Sequence, residues 1–192
     1  MRKLTILVDM DDTIENLCTA WVEWLNINHG TSVLPTDIVE WNICKAFPTL
    51  TPSQVYAPLY TEDFWHTVKP IEGAAEALFK LKNEGHRIVI VTASDTDTVT
   101  YKMNHVLYKY FPFLTYKDVV ITSQKDLIDG DVMIDDNPMN FDHENPTRKL
   151  NILFTAPHNA NFDDEKAGLY RADAWEEVLF YIHFYSYLKE SV

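Results

Sequence analysis

Residues 4–13, Leu-Thr-Ile-Leu-Val-Asp-Met-Asp-Asp-Thr (LTILVDMDDT), decide the reading of this chain. Leu4 to Val8 are apolar or β-branched without alternation, the pattern of a strand buried on both faces in a parallel sheet. The run ends in Asp9, Asp11 and Asp12. Carboxylates that close repel one another, and burying even one costs several kcal/mol unless it is paired or bound to a metal. A cation is therefore expected at the end of the first strand.

The segment ENLCTAWVEWLNINHG places Leu17, Trp21, Trp24, Leu25 and Asn28 at helical spacing, with Gly30 as the stop. Residues 31–70 are short and aromatic in pattern: a loop to Pro35, a segment around TDIVEWNI, then TPSQVYAPLY with Thr51 as cap and Pro52 in the first turn. This stretch reads as a small helical cap. Beyond Pro70, IEGAAEALFKLKNEG is an amphipathic helix with Ala74, Leu78 and Leu81 inward and Gly85 past its end. HRIVIVTAS, DVVITS, DVMIDDNP and KLNILFTA read as four further strands, separated by a helix over 97–110 and closed by the helix DAWEEVLFYIHFYSYL. Such alternation implies right-handed βαβ units. The expected fold is α/β, a Rossmann-like three-layer parallel sheet formed by residues 1–14 and 71–192, with residues 15–70 inserted after the first strand as the cap.

A length of 192 residues suits one core plus a small insertion, and 46% hydrophobic with 13% aromatic residues excludes a disordered or fibrous chain. A net charge of -13 disfavours a duplex nucleic acid partner, whose affinity comes from neutralised phosphates. Cys18 and Cys44 lack the spacing of a zinc or redox site and are expected as reduced core thiols. The first apolar stretch ends at Asp9, too short for a secretion signal, and no run reaches the ~20 apolar residues of a membrane span. A cytoplasmic protein without a membrane partner is expected. With five glycines there is no GxGxxG or P-loop, and the seven histidines, without HxH or HExxH spacing, are expected at the surface or as caps. Trp21, Trp24, Trp41, Phe64 and Trp65 cluster in the cap, mainly as core packing, with some facing the cleft and able to stack on a flat substrate.

In an open parallel sheet, ligands bind beyond the carboxyl ends of the strands near the switch in strand order. Asp9 and Asp11 follow the first strand, Thr92-Ala93-Ser94 the second, Lys125 the third, and Asp135-Asp136 the fourth. Hard carboxylate oxygens there suit Mg²⁺, with Asp9 and Asp136 as side-chain ligands. A carboxylate nucleophile, a second carboxyl for proton work, and a lysine and hydroxyl to neutralise the moving group are the parts of phosphoryl transfer. An EF-hand reading of DMDDT fails because a strand precedes it and Ile14 stands where glycine is needed.

DMDDT, VTAS, SQKD and IDDNP, in this order, resemble the four motifs of haloacid-dehalogenase-like phosphohydrolases, and the insertion after the first motif resembles their type 1 cap. FWHTVKPIEGAAEAL, HVLYKYFPFL, DVVITSQKDLIDGDVMIDDNP, LFTAPHNAN and RADAWEEV are similar to 5'(3')-deoxyribonucleotidases over nearly the whole chain. The resemblance implies an enzyme that removes phosphate from (deoxy)nucleoside monophosphates through an aspartyl phosphate. It makes Asp9 the nucleophile and Asp11 the acid/base, with the Asp11 backbone carbonyl as a Mg²⁺ ligand beside Asp9 and Asp136. Asp135 would sit behind them near Lys125. Thr92, Lys125 and the Ala93 backbone N–H would hold the phosphate, and Leu17, Trp41, Asn42 and Thr96 would lie by the nucleoside. Ala93 and Leu17 depart from the hydroxyl and aromatic of animal members, and Asp12 stands where glycine is common, so base and sugar preference stay open. So does a homodimer. The alternatives are a phosphatase for a sugar phosphate or other small metabolite, and an inactive nucleotide-binding protein.

Overall fold

The computed structural model describes residues 2–142, 145 and 147–190. Six strands pair in parallel in the order β3-β2-β1-β4-β5-β6: β1 (Thr5–Val8), β2 (Arg87–Thr92), β3 (Val119–Ile121), β4 (Val132–Asp135), β5 (Leu150–Phe154) and β6 (Tyr170–Ala172). The expected α/β parallel sheet is what forms. Five strands are legible from composition; the three-residue edge strand β6, Tyr-Arg-Ala, carries no apolar run and its pairing with β5 supplies what its sequence lacks.

Continuous apolar strands are explained by where alternate residues go. Ile6 and Val8, Ile88 and Ile90, Val132 and Ile134, and Ile152 and Phe154 pack in one core cluster, under the helices Ala74–Asn83 and Trp175–Leu188. Leu7, Val89, Val91, Met133 and Leu153 pack in a second cluster on the opposite face, with Phe141 and Leu169. Both faces are dry, so period-2 polarity vanishes from the sequence. Close packing reaches Gly130, where a Cβ would stand 2.8 Å from Leu7 Cγ.

Residues 17–68 build a cluster of their own around Trp21, Leu25, Phe47, Val55, Phe64 and Trp65, into which Val106 inserts from the other side. The Leu17–His29 helix ends at Gly30, whose φ of 66° lets its N–H reach Asn26 O. Asn28 is exposed, its amide bonded to Trp24 O. The rest is short helical turns at 35–37, 43–46, 52–56, 57–60 and 62–65. The chain leaves and re-enters the sheet body side by side: Asn16 N–H donates to Lys69 O, Ile71 N–H donates to Ile14 O, and Glu15 bridges Pro70. The expected helix over 97–110 is Thr96–Lys102, then a π-helical Met103–Leu107, then one more turn over 108–110.

Candidate active site

β1 and β4 are neighbours at the point where strand order reverses, and both end in acid. Asp9 N–H is held by Ile134 O. After it the chain turns tightly: Met10 O accepts from the N–H groups of Thr13, Ile14 and Glu15. Asp12 takes a φ of 49° in that turn, a left-handed conformation that aspartate tolerates better than most residues. Its carboxylate accepts from Cys18 N–H at 2.9 Å and so caps the Leu17–His29 helix, whose own preceding residue, Asn16, makes no side-chain cap. Trp175 Nε1–H donates to Thr13 O at 3.0 Å from the helix beneath, fixing the turn from below.

Two buried lysines serve the carboxylates. Lys125 Nζ lies 2.6 Å from Asp9 Oδ1 and 2.9 Å from Asp135 Oδ2. Asp135 Oδ1 accepts from Asn137 N–H and from the Asn140 amide, so Asp135 is saturated and acts as the anchor of Lys125. Lys102 Nζ lies 2.7 Å from the Asp11 carboxylate, 2.9 Å from Thr92 Oγ1 and 3.2 Å from Ser94 Oγ, with Glu15 Oε1 at 3.9 Å. Burial and the neighbouring Asp9 push Asp135 up to about 7 against the pull of Lys125. Burial works to raise Asp11 too, but Lys102, then a hydrogen bond from Glu15, then Lys125 outweigh it and hold the group below its ordinary value. For Glu15 the balance goes the other way: burial, with the Asp11 charge, drives it well above the usual carboxylate range against the pull of Lys102.

Asp136 is fully buried and pushed well above its ordinary value by burial, Asp135 and Asp9. Its Oδ2 meets His158 Nε2 at 2.6 Å, and its backbone carbonyl accepts from the buried Asn159 amide. Burial depresses His158 to about 4, so the contact is that of a neutral imidazole. This corrects the expectation that the histidines lie at the surface or cap helices: His158 is tucked against Asp136, and His86 is buried with Nδ1 accepting from Leu4 N–H. A lone imidazole in a loop carries no spacing that announces such a partner.

Asp136 Oδ1 is buried without a hydrogen-bond partner among the described residues, and carboxylate oxygens of Asp9, Asp135 and Asp136 lie within 4.8 Å of one another. An unsatisfied buried carboxyl group beside two more is an arrangement a hard divalent cation completes. Above it opens a cavity of about 310 Å³, with Asp11, Asp12, Ala93 and His158 as its floor and Leu17, Trp21, Trp41 and Tyr56 among its cap-side walls. Trp41, 61% exposed, meets the His158 ring edge-on at 4.8 Å across the mouth. Asn42 and Thr96 are not among the residues lining this cavity: the Asn42 side chain caps the turn at 43–46, and Thr96 is exposed on the first turn of its helix. Cys18 and Cys44 are both free, the first buried and its thiol pushed up to about 12, the second half-buried.

Lys102 and Glu15 are the site residues that motif reading passes over. Lys102 shares a helix face with Val99, Met103 and Val106, and a lysine on an inward stripe was the available signal. Glu15 follows Ile14 with no pattern to distinguish it from a solvated acid.

Residues 2–185 match the model of the family "5' nucleotidase, deoxy (Pyrimidine), cytosolic type C". The chain belongs to this family. A 5'(3')-deoxyribonucleotidase of Bacillus subtilis is 32% identical over 177 residues, 92% of this chain and 96% of that one. A 5'(3')-deoxyribonucleotidase of Clostridium acetobutylicum is 32% identical over 181 residues, 93% of this chain and 94% of that one. Among solved structures, a haloacid-dehalogenase-like hydrolase from Streptococcus pneumoniae superposes with a TM-score of 0.64 at 16% identity, covering 94% of this chain and 98% of that one, a likeness of fold. As a member of this nucleotidase family the protein is a phosphatase. No helix among the described residues is long and apolar enough to cross a membrane.

Proposed function

We propose that this family member hydrolyses the phosphomonoester of deoxyribonucleoside monophosphates, with Asp9 as nucleophile and Asp11 as acid and base. The observation that carries the reading is the meeting of two features: the Asp9–Lys125 and Asp11–Lys102 pairs at the strand ends, and an aromatic-walled cavity directly over Asp11. The volume is at the lower end of the ~300–1,000 Å³ typical of small-molecule sites.

In this reading the phosphate sits among Lys125, Lys102, the Thr92 and Ser94 hydroxyls and the Ala93 N–H. The Asp9 carboxylate oxygen attacks phosphorus, and the bond from phosphorus to the nucleoside oxygen breaks as Asp11 gives that oxygen a proton. Water, deprotonated by Asp11, then attacks the aspartyl phosphate and releases inorganic phosphate, restoring Asp9. Asp11 rests ionised against Lys102. A phosphate drawn to Lys102 loosens that pair, and the carboxyl then holds a proton more readily. Mg²⁺ fits the donor set of Asp9, Asp136 and the Asp11 carbonyl, and when bound it would neutralise charge on the phosphoryl oxygens. Leu17 and Trp41 are the proposed nucleoside contacts, since both line the cavity.

The test is phosphate release from a panel of 5'- and 3'-deoxy- and ribonucleoside monophosphates, with sugar phosphates as controls, in Mg²⁺ and in EDTA. Metal-dependent turnover favouring deoxynucleotides is expected. Preference for sugar phosphates would overturn the substrate assignment and leave the chemistry.

A further inference from the structure

Away from the catalytic carboxylates, Glu62, His66 and His105 bring one carboxylate oxygen and one ring nitrogen each to within 4.8 Å of one another. Glu62 and His66 are separated by one helical turn, with His66 N–H bonded to Glu62 O, so both side chains leave the same side of the 62–65 helix. His105 comes from the π-helical Met103–Leu107 segment. Its Nε2 lies 2.8 Å from Glu62 Oε1, its ring stands 4.2 Å from that of His66, and Tyr101 stacks on it at 27°.

The geometry points to a transition-metal site of the His₂Glu type, with Zn²⁺ as its cation, clasping the cap to the sheet body. Two imidazoles and one carboxylate are donors that Zn²⁺ favours at about 2.0–2.2 Å, which puts donors about 3.3 Å apart in a tetrahedron. The three groups reach that spacing by side-chain rotation, leaving the fourth position to water at the half-exposed rim. Mg²⁺, which prefers oxygen, would not compete. The site spans a joint: Glu62 and His66 belong to the inserted segment, whereas His105 is flanked by Val106, the residue that enters the cap's own core. A bound ion therefore adds a link between two bodies already joined by apolar contact, by the paired crossings at Asn16 and Lys69, by the Asp12 cap on Cys18 N–H and by the Lys69–Tyr110 hydrogen bond.

Zn²⁺ is titrated into the Asp136→Asn variant, which removes the catalytic carboxylate cluster from contention, and binding is read by competition with a chromophoric chelator. One ion per chain is expected, bound at least tenfold more weakly after His66→Ala and, separately, after His105→Ala. Unchanged affinity in either histidine variant overturns the site. In the wild-type chain, Zn²⁺ should slow amide exchange at Asn16 and Ile71, and the slowing should vanish in His105→Ala. Exchange that ignores Zn²⁺ in the wild type would overturn the clasp.

Discussion

Asp9 and Asp11 are two residues apart and each has its own buried lysine, which divides their work. Asp9→Asn keeps the shape and removes the proposed nucleophile; turnover should fall to background with no acid-labile phosphoenzyme, and retained activity would take that role away from Asp9. Lys102→Met leaves Asp11 without its counter-charge in a dry site. Loss of one partner from a buried pair costs about 3–5 kcal/mol, so a lowered denaturation midpoint and a kcat reduced at least 100-fold are expected. A Lys102→Met enzyme with wild-type kcat would make the Lys102 contact purely structural. Asp9, Asp11, Thr92, Lys125 and Asp136 were legible from sequence as residues near the carboxyl ends of strands, because each lies at the end of an apolar run or within four residues of it. Lys102, Glu15 and His158 were not, because their partners are distant in the chain: 91 residues separate Lys102 from Asp11, and 22 separate His158 from Asp136.

At the scale of elements, the turn after β1 is held from three sides: by Met10 O within, by Asp12 on Cys18 N–H, and by Trp175 below. Trp175→Phe preserves most of the ring and deletes one buried hydrogen bond. A loss of about 1 kcal/mol in unfolding free energy is expected, together with a drop in kcat larger than any change in KM, since the turn positions Asp11. The cap contributes through Trp41, at the cavity mouth against His158. Trp41→Ala should raise KM for nucleotides several-fold while leaving a small aryl phosphate unaffected, and equal effects on both substrates would reduce Trp41 to packing. The main strands and long helices were readable from apolar runs and helical spacing. The edge strand β6 and the π-helical turn at 103–107 were not, since neither has an intrinsic signature: β6 exists because β5 offers it a ladder, and the π turn continues a helix that reads as uniform.

Across the whole molecule, the concentration of buried acids sets how stability responds to pH. Asp12 and Asp135 are raised to about 7, chiefly by burial and then by neighbouring carboxylates, and Asp136 and Glu15 are raised well above their ordinary values. Unfolded, such groups titrate near 4. Between about pH 4 and 7 the folded chain thus binds more protons than the unfolded one, and stability falls as pH rises through that window. His158, depressed to about 4 by burial, and His86, also lowered by burial, act in the opposite sense below about 6.5, two groups against four. In EDTA, Tm should decline from pH 5 to 7.5, and Mg²⁺ at pH 7.5 should recover it by binding the folded carboxylate cluster. A Tm that climbs with pH in EDTA would refute this balance.

The sequence by itself determined a parallel α/β sheet and the placing of carboxylates at or just beyond the ends of its first and fourth strands. These follow from local rules: a strand dry on both faces must be apolar throughout, and a ligand edge must break that apolarity at the strand's end. Tertiary structure alone decided which charges meet. Lys102 on Asp11, Lys125 between Asp9 and Asp135, and His158 on Asp136 are contacts between elements whose positions are set by strand order. So is the closure of the cavity by Trp41 and its neighbours. Charge pairing acts over a few ångströms of space and is blind to separation along the chain, so it becomes visible only once the sheet has brought the strand ends together.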